Sequence, residues 1–406
     1  MHISRSFACA RTALALGVIL AGFALRAPFA SAADSVSTAR ITSIVRTAMA
    51  RSHLKAVIVQ VRSNGRNIFT GAFGDSMAGV PATPDMHFRN GALAFTYMST
   101  LLLEFVDQKK VTLQTKLSKY FPNLPNANRV TLKDLAQMTS GYADYVYQPE
   151  FERSLYRDPF RQWRPDELIR IGTSKPMQFA PGQNWGYSHT NYVILGQVLA
   201  KIAHLPLADA LRRYVLEPLG LKQTAAFTTS VVPQPVLHAF TSERREALGI
   251  KPSVPFYEEA TFWNPSWTTI EGAVETTNIA DLNTSLEAVA SGKLLSKTSS
   301  AAQIKPSLIG FGHTQTGCPV CRQNSAAFNY GIGVILNGPW ISQTLGFAGA
   351  SGAVGYLPAQ KLAIAVEATN GPGAYDAKGN AGLGAVPLFR DLANALAPKT
   401  LASPAP

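Results

Sequence analysis

Tyr187, Ser188 and His189 place a phenol, a hydroxyl and an imidazole in a row. A serine hydroxyl beside a base is the equipment of nucleophilic acyl transfer, in which the base takes the proton as the oxygen attacks a carbonyl. Neighbours in sequence seldom face each other, however, and no third residue that would orient His189 is evident. Hydrogen bonds within a loop are the simpler account of Ser188 and His189. Tyr187 reads equally as a packed ring whose hydroxyl finds a polar partner. The literal Ser-x-x-Lys at Ser52-His53-Leu54-Lys55 precedes the first expected strand and reads as a surface coincidence. Cys318 and Cys321 lie three apart in "GCPVC". A local disulfide is the plain reading in an oxidising compartment. A redox pair would lack its βαβ setting, and a zinc site with His313 would lack a fourth ligand.

A second stretch is notable for what it lacks. "MHFRNGALAFTYMSTLLLEF" (Met86 to Phe105) starts a helix on a glycine turn and then runs apolar. Such turns often set a reactive group at the helix N-terminus. Here nothing at that end can attack, donate or accept except backbone and Thr96. Ser99 lies two turns in and reads as a packing residue.

Taken in order, "HFRNGALAFTYMSTLLLEFVDQKKVTLQTKLSKYFP", "VTLKDLAQMTSGYADY", "FAPGQNWGYSHTNYVILGQVLAKIAHLPLADALRRYVLEPLGLKQT" and "ISQTLGFAGASGAVGYLPAQKLAIAVEATNG" resemble the serine β-lactamase and penicillin-binding-protein superfamily. The likeness is to its class C β-lactamase, D,D-peptidase and esterase branch, and it runs from about Ser37 to Leu396. The resemblance implies a serine at a helix N-terminus, a lysine one turn on, a Tyr-x-Asn loop, and a strand bearing Lys-Thr-Gly or His-x-Gly. In this chain the serine position is Ala92 and the lysine position is Phe95. Tyr187-Ser188-His189 stands for Tyr-x-Asn, and Thr344-Leu345-Gly346 for the strand motif. Nucleophile and base are therefore both missing. Gly91, Ala92, Thr344, Leu345 and Gly346 are expected to line the cleft, with the Ala92 N–H keeping half of an anion-holding pocket.

The elements that would position these residues can be read from patterning. Val36 to Arg51 is an amphipathic helix, and "AVIVQVRSNGRNIFTGAFG" holds two strands around Asn64-Gly65. Helical spacing then dominates from Gly91 to about Gly292, with Thr131 as an N-cap. Short strands return in "NYGIGVIL", "ISQTLGF", "GAVGYLP" and "LAIAVEATN", before a last amphipathic helix at about Val386 to Leu396. The expected class is α/β (α+β): an antiparallel β-sheet flanked by N- and C-terminal helices plus an inserted all-helical lobe, β-lactamase/transpeptidase-like. The strand lobe covers about 37–85 and 305–398 and the helical lobe about 86–304, within a domain 33–398 followed by a tail at 399–406.

His2, Arg5 and Arg11 precede the apolar "ALALGVILAGFAL", and Ala30-Ser31-Ala32 is an A-x-A cleavage signature. Residues 1–32 are expected to be a signal peptide cleaved near Ala32, leaving an exported, periplasmic or secreted, protein with no transmembrane segment. The formal charge of +12 is scattered, without a basic run and interleaved aromatics, so nucleic acid is not an expected partner. No cofactor or metal is expected.

The first functional expectation is a protein that binds a peptidoglycan-like peptide or a protein partner without acyl transfer. The alternatives are a hydrolase of esters or amides working through Ser188, Tyr187 or His189 in an unfamiliar scheme, and a scaffold whose cleft is filled.

Overall fold

The computed structural model describes residues 38–227, 229–268 and 274–402. The expected signal peptide lies outside the described residues. Helix α1 (Thr38–Ser52) buries Ile41, Val45 and Ala48 and leads into strand β1 (Leu54–Ser63). Strands β1 and β2 (Arg66–Met77) pair antiparallel around Asn64 and Gly65, whose φ values of 51° and 75° suit a two-residue hairpin turn. β3 (Val80–Pro81) caps the edge of β2.

The middle of the chain is mainly helical. β4 (Phe88–Arg89) enters α2 (Leu93–Asp107), which is buried on nearly every side and lies at the centre of the larger core. α3 (Leu132–Ala136) starts at Thr131, which forms a reciprocal capping box with Asp134. α4 (Pro149–Arg157), α5 (Pro165–Thr173) and α6 (His189–Ala203) follow, and α6 packs against α2, α3 and α5. α7 (Leu207–Leu211) continues through a π-turn into α8 (Glu217–Leu219), ended by Gly220 in the left-handed region. The short strands β5 (Ala225–Ala226), β6 (Phe240–Thr241), β7 (Glu258–Glu259) and β8 (Glu275–Thr277) precede α9 (Ile279–Ala290) and α10 (Lys297–Gln303).

The chain then returns to the sheet through β9 (Asn329–Tyr330), β10 (Ile335–Asn337), β11 (Trp340–Phe347), β12 (Ala350–Leu357) and β13 (Leu362–Asn370). α11 (Ala385–Leu396) closes the fold beside α1. The sheet order is β3-β2-β1-β13-β12-β11-β10-β9, and its pairs are antiparallel, so strands from both ends of the chain meet at β1 and β13. One face packs Val57, Val59, Ile364 and Val366 against α1 and α11. The other packs Ala56, Ile58 and Ala365 with the helical core. With both faces covered, β1 and β13 carry near-continuous apolar runs. Among the described residues no single helix is long and apolar enough to cross a membrane.

Candidate functional site

The site is built where the start of α2 meets β11. Gly91 has φ +51°, and a Cβ added there would lie 2.9 Å from the Gly346 nitrogen. Only glycine permits both the turn and this approach. Asn90 is fixed from behind: its Nδ2 donates to Glu275 Oε2 at 2.5 Å, and its Oδ1 accepts from the Glu275 N–H at 3.1 Å. Burial lifts the Glu275 carboxyl to about 8. Ala92 is the N-cap of α2 and offers no side-chain cap. Its N–H has no acceptor among the described residues, at the positive end of a helix.

Phe95 follows one turn later, fully buried. Its ring stacks on Tyr192 and lies 5.7 Å, centroid to centroid, from both Tyr187 and His189. Tyr192 is itself tied down, donating to the Ala136 carbonyl at 2.9 Å and meeting Ser99 Oγ at 2.8 Å. The position therefore holds an apolar side chain in an aromatic cluster, where a cation would pay for lost hydration.

Across from α2, Ser188 is in extended conformation (φ −155°, ψ 119°) as the N-cap of α6. Side chains alternate along extended backbone. Tyr187 and His189 accordingly reach the cleft, whereas Ser188 is buried and its Oγ has no partner among the described residues. Ser188, a candidate catalytic residue expected to hydrogen-bond within its loop, is instead turned away from the cleft with its hydroxyl unpartnered among the described residues. Tyr187 is a poor base: burial, then the Asp144 charge, push its phenol well above the usual 10.

The expectation that nothing orients His189 is also corrected. His189 Nδ1 donates to Asp144 Oδ2 at 2.9 Å, and the Asp144 carboxylate is almost wholly buried. Hydrogen bonds place the two loops together: Thr190 Oγ1 donates to the Ala143 carbonyl at 2.6 Å and accepts from the Tyr145 N–H at 3.3 Å. Ser140 Oγ donates to Asn191 Oδ1 at 2.5 Å. Asp144 stands 45 residues before His189, so spacing along the chain carried no sign of the pair. The available signal was an acidic residue closing the polar turn "TSGYAD".

These parts border a cavity of about 640 Å³. Gly91, Ala92 and Phe95 line it from α2, Tyr187 and His189 from the opposite loop, and Thr344, Leu345 and Gly346 from β11. The space is open, so the filled-cleft expectation does not hold. Trp263, Trp267 and Phe347 add aromatic wall that sequence reasoning missed. Glu152 and Glu243 also line the cavity, and among its described lining residues there is no Lys, Arg, Ser or Cys. Burial raises the Glu243 carboxyl, against the opposing pull of the Thr241 hydroxyl and the Gly349 N–H.

The Beta-lactamase family matches residues 41–386. The chain belongs to the Beta-lactamase family. Among curated members it is 27% identical to esterase EstB of Burkholderia gladioli over 209 residues, covering 48% of this chain and 53% of the esterase. It is 24% identical to a Beta-lactamase of Providencia stuartii over 195 residues, covering 47% and 48% of the two chains. The chain spans about half the length of these relatives. Its fold is that of a D-stereospecific amidohydrolase from Streptomyces sp. (TM-score 0.71, 20% identity, 89% of this chain and 99% of that one). A D-amino acid amidase from Ochrobactrum anthropi SV3 is similar (TM-score 0.70, 21% identity, 88% and 97%).

In this member of the Beta-lactamase family, Cys318 and Cys321 are joined in a disulfide that lies against Gly186, next to Tyr187. The bond takes both thiolates from the zinc alternative with His313. Among the described residues no three His, Cys, Asp or Glu side chains converge as a metal site.

Proposed function

We propose that this member of the Beta-lactamase family is exported after cleavage near Ala32 and binds a peptidoglycan-like peptide or another acyl compound without capturing it as an acyl-enzyme. The reading rests on the likeness that puts Ala92 and Phe95 at the serine and lysine positions, and one observation supports it: the open cavity that both line has no Ser, Cys or Lys among its described lining residues. Losing the nucleophile of a hydrolytic site costs on the order of a millionfold in turnover by that route, while binding survives. Glu152 and Glu243 with the aromatic walls favour a ligand presenting an amine and an apolar ring, and disfavour a carboxylate. The amidases that share the fold act, by their names, on amino acid derivatives, in keeping with such a ligand.

The test is incubation of the purified mature protein with a fluorophosphonate probe, followed by intact-mass measurement and adduct mapping. No adduct is expected under conditions that label an active relative. An adduct on Tyr187, Thr344 or another cleft residue, or on the buried Ser188, would overturn the reading.

A further inference from the structure

We propose that His189 and Asp144 make the cleft a hydrolase that uses water directly on a bound ester, without a covalent enzyme intermediate. The inference rests on the reading that the cleft binds acyl compounds without acylation. His189 is the first residue of α6, and its side chain is about a fifth exposed, at the cavity wall. Asp144 can only accept, so its bond to Nδ1 fixes the tautomer that carries the proton there and leaves the Nε2 lone pair to act as a base. Nε2 has no partner among the described residues.

Three features separate this pair from an ordinary ion pair on a surface. The carboxylate is 1% exposed and also accepts from the Val146 N–H, so it is held rigidly behind the ring. The imidazole is wedged among Phe95, Tyr187 and Tyr145 with ring centroids 5.4 to 6.0 Å away, which fixes its plane. It stands beside Phe95, one turn from Ala92, whose methyl leaves room where the family's serine would stand. Ala92 and His189 line the same cavity, so a water molecule held there by Nε2 would have a base beside it and the positive end of α2 in the same space.

The chemistry balances without another reactant. The water oxygen bonds to the ester carbonyl carbon as its proton passes to His189 Nε2, and the carbonyl π pair moves onto the carbonyl oxygen. The tetrahedral adduct then re-forms the carbonyl and breaks its bond to the alcohol oxygen, which takes the proton from Nε2. Ester and water become acid and alcohol; Asp144 keeps its bond to Nδ1 throughout and acts as a positioning residue.

The experiment uses p-nitrophenyl butyrate and, for binding alone, the ketone in which a methylene replaces its ester oxygen. The expected result is turnover above buffer with no burst and no change in protein mass. His189→Gln should lower kcat/KM by about 100-fold or more and Asp144→Asn by about tenfold or more, with ketone affinity and melting temperature kept. Ser188→Ala, outside the cleft, should leave turnover unchanged. No turnover with ketone binding intact would overturn the water mechanism and leave the binding proposal standing. Loss of both turnover and ketone binding would overturn the binding proposal too. A folded His189→Gln as active as the parent, or a covalent adduct, would overturn the water mechanism.

Discussion

Phe95 lies flat on Tyr192, with ring centroids 4.0 Å apart and planes 10° from parallel. Phe95 is thereby part of the larger hydrophobic core. Phe95→Ala should cost about 3–5 kcal/mol, the usual range for a buried aromatic truncated to a methyl. Urea unfolding followed by tryptophan fluorescence measures it. A cost below about 1 kcal/mol would mean that the stack is incidental.

Gly91 should tolerate no side chain. With φ +51° and the Gly346 backbone in the path of a Cβ, Gly91→Ala is expected to destabilise by more than about 1 kcal/mol. The same change should weaken ligand binding, because α2 and β11 must part. A crystal structure of the variant with unchanged spacing at Gly346 would refute this.

Glu275 makes stability depend on pH. Its folded value of about 8 lies above the ordinary 4.5, so over this window the folded state holds a proton that the unfolded chain releases. The group's contribution is full below about 4.5 and is lost as pH rises to about 8. Glu275→Gln keeps an amide carbonyl for Asn90 but cannot ionise. The melting temperature of the parent should therefore fall relative to this variant between pH 5 and 8. Parallel curves would show that Glu275 is ionised in the folded protein.

Ligand charge is the fourth test. Phenethylamine should bind more tightly than phenylacetate, by about tenfold or more, since a charge-assisted bond in a cleft contributes about 1.5–3 kcal/mol. Isothermal titration with both compounds at one ionic strength decides it. Equal affinities would remove the role given to Glu152 and Glu243.

Patterning alone was enough to expect the Asn64-Gly65 hairpin, the Thr131 cap and the late strands, because turns, caps and alternation are local effects. The family likeness placed Ala92, Phe95, Tyr187, His189 and Thr344 to Gly346, and all of them border one cavity. The Asp144–His189 bond was not legible, since its partners meet only when the "TSGYAD" turn is hydrogen-bonded to the first turn of α6. Glu152, Glu243 and the tryptophan walls come from segments without a motif, so nothing in their spacing marked them.

The sequence by itself, through its family likeness, carried the expectation that Ala92 and Phe95 stand where the family has serine and lysine. Tertiary structure decided what remains. Extended backbone at Ser188 turns the hydroxyl inward and sends Tyr187 and His189 to the cleft, and packing of distant loops puts a buried carboxylate behind the imidazole. A hydroxyl's direction and a hydrogen bond across 45 residues follow from the folded path of the chain, not from composition or spacing.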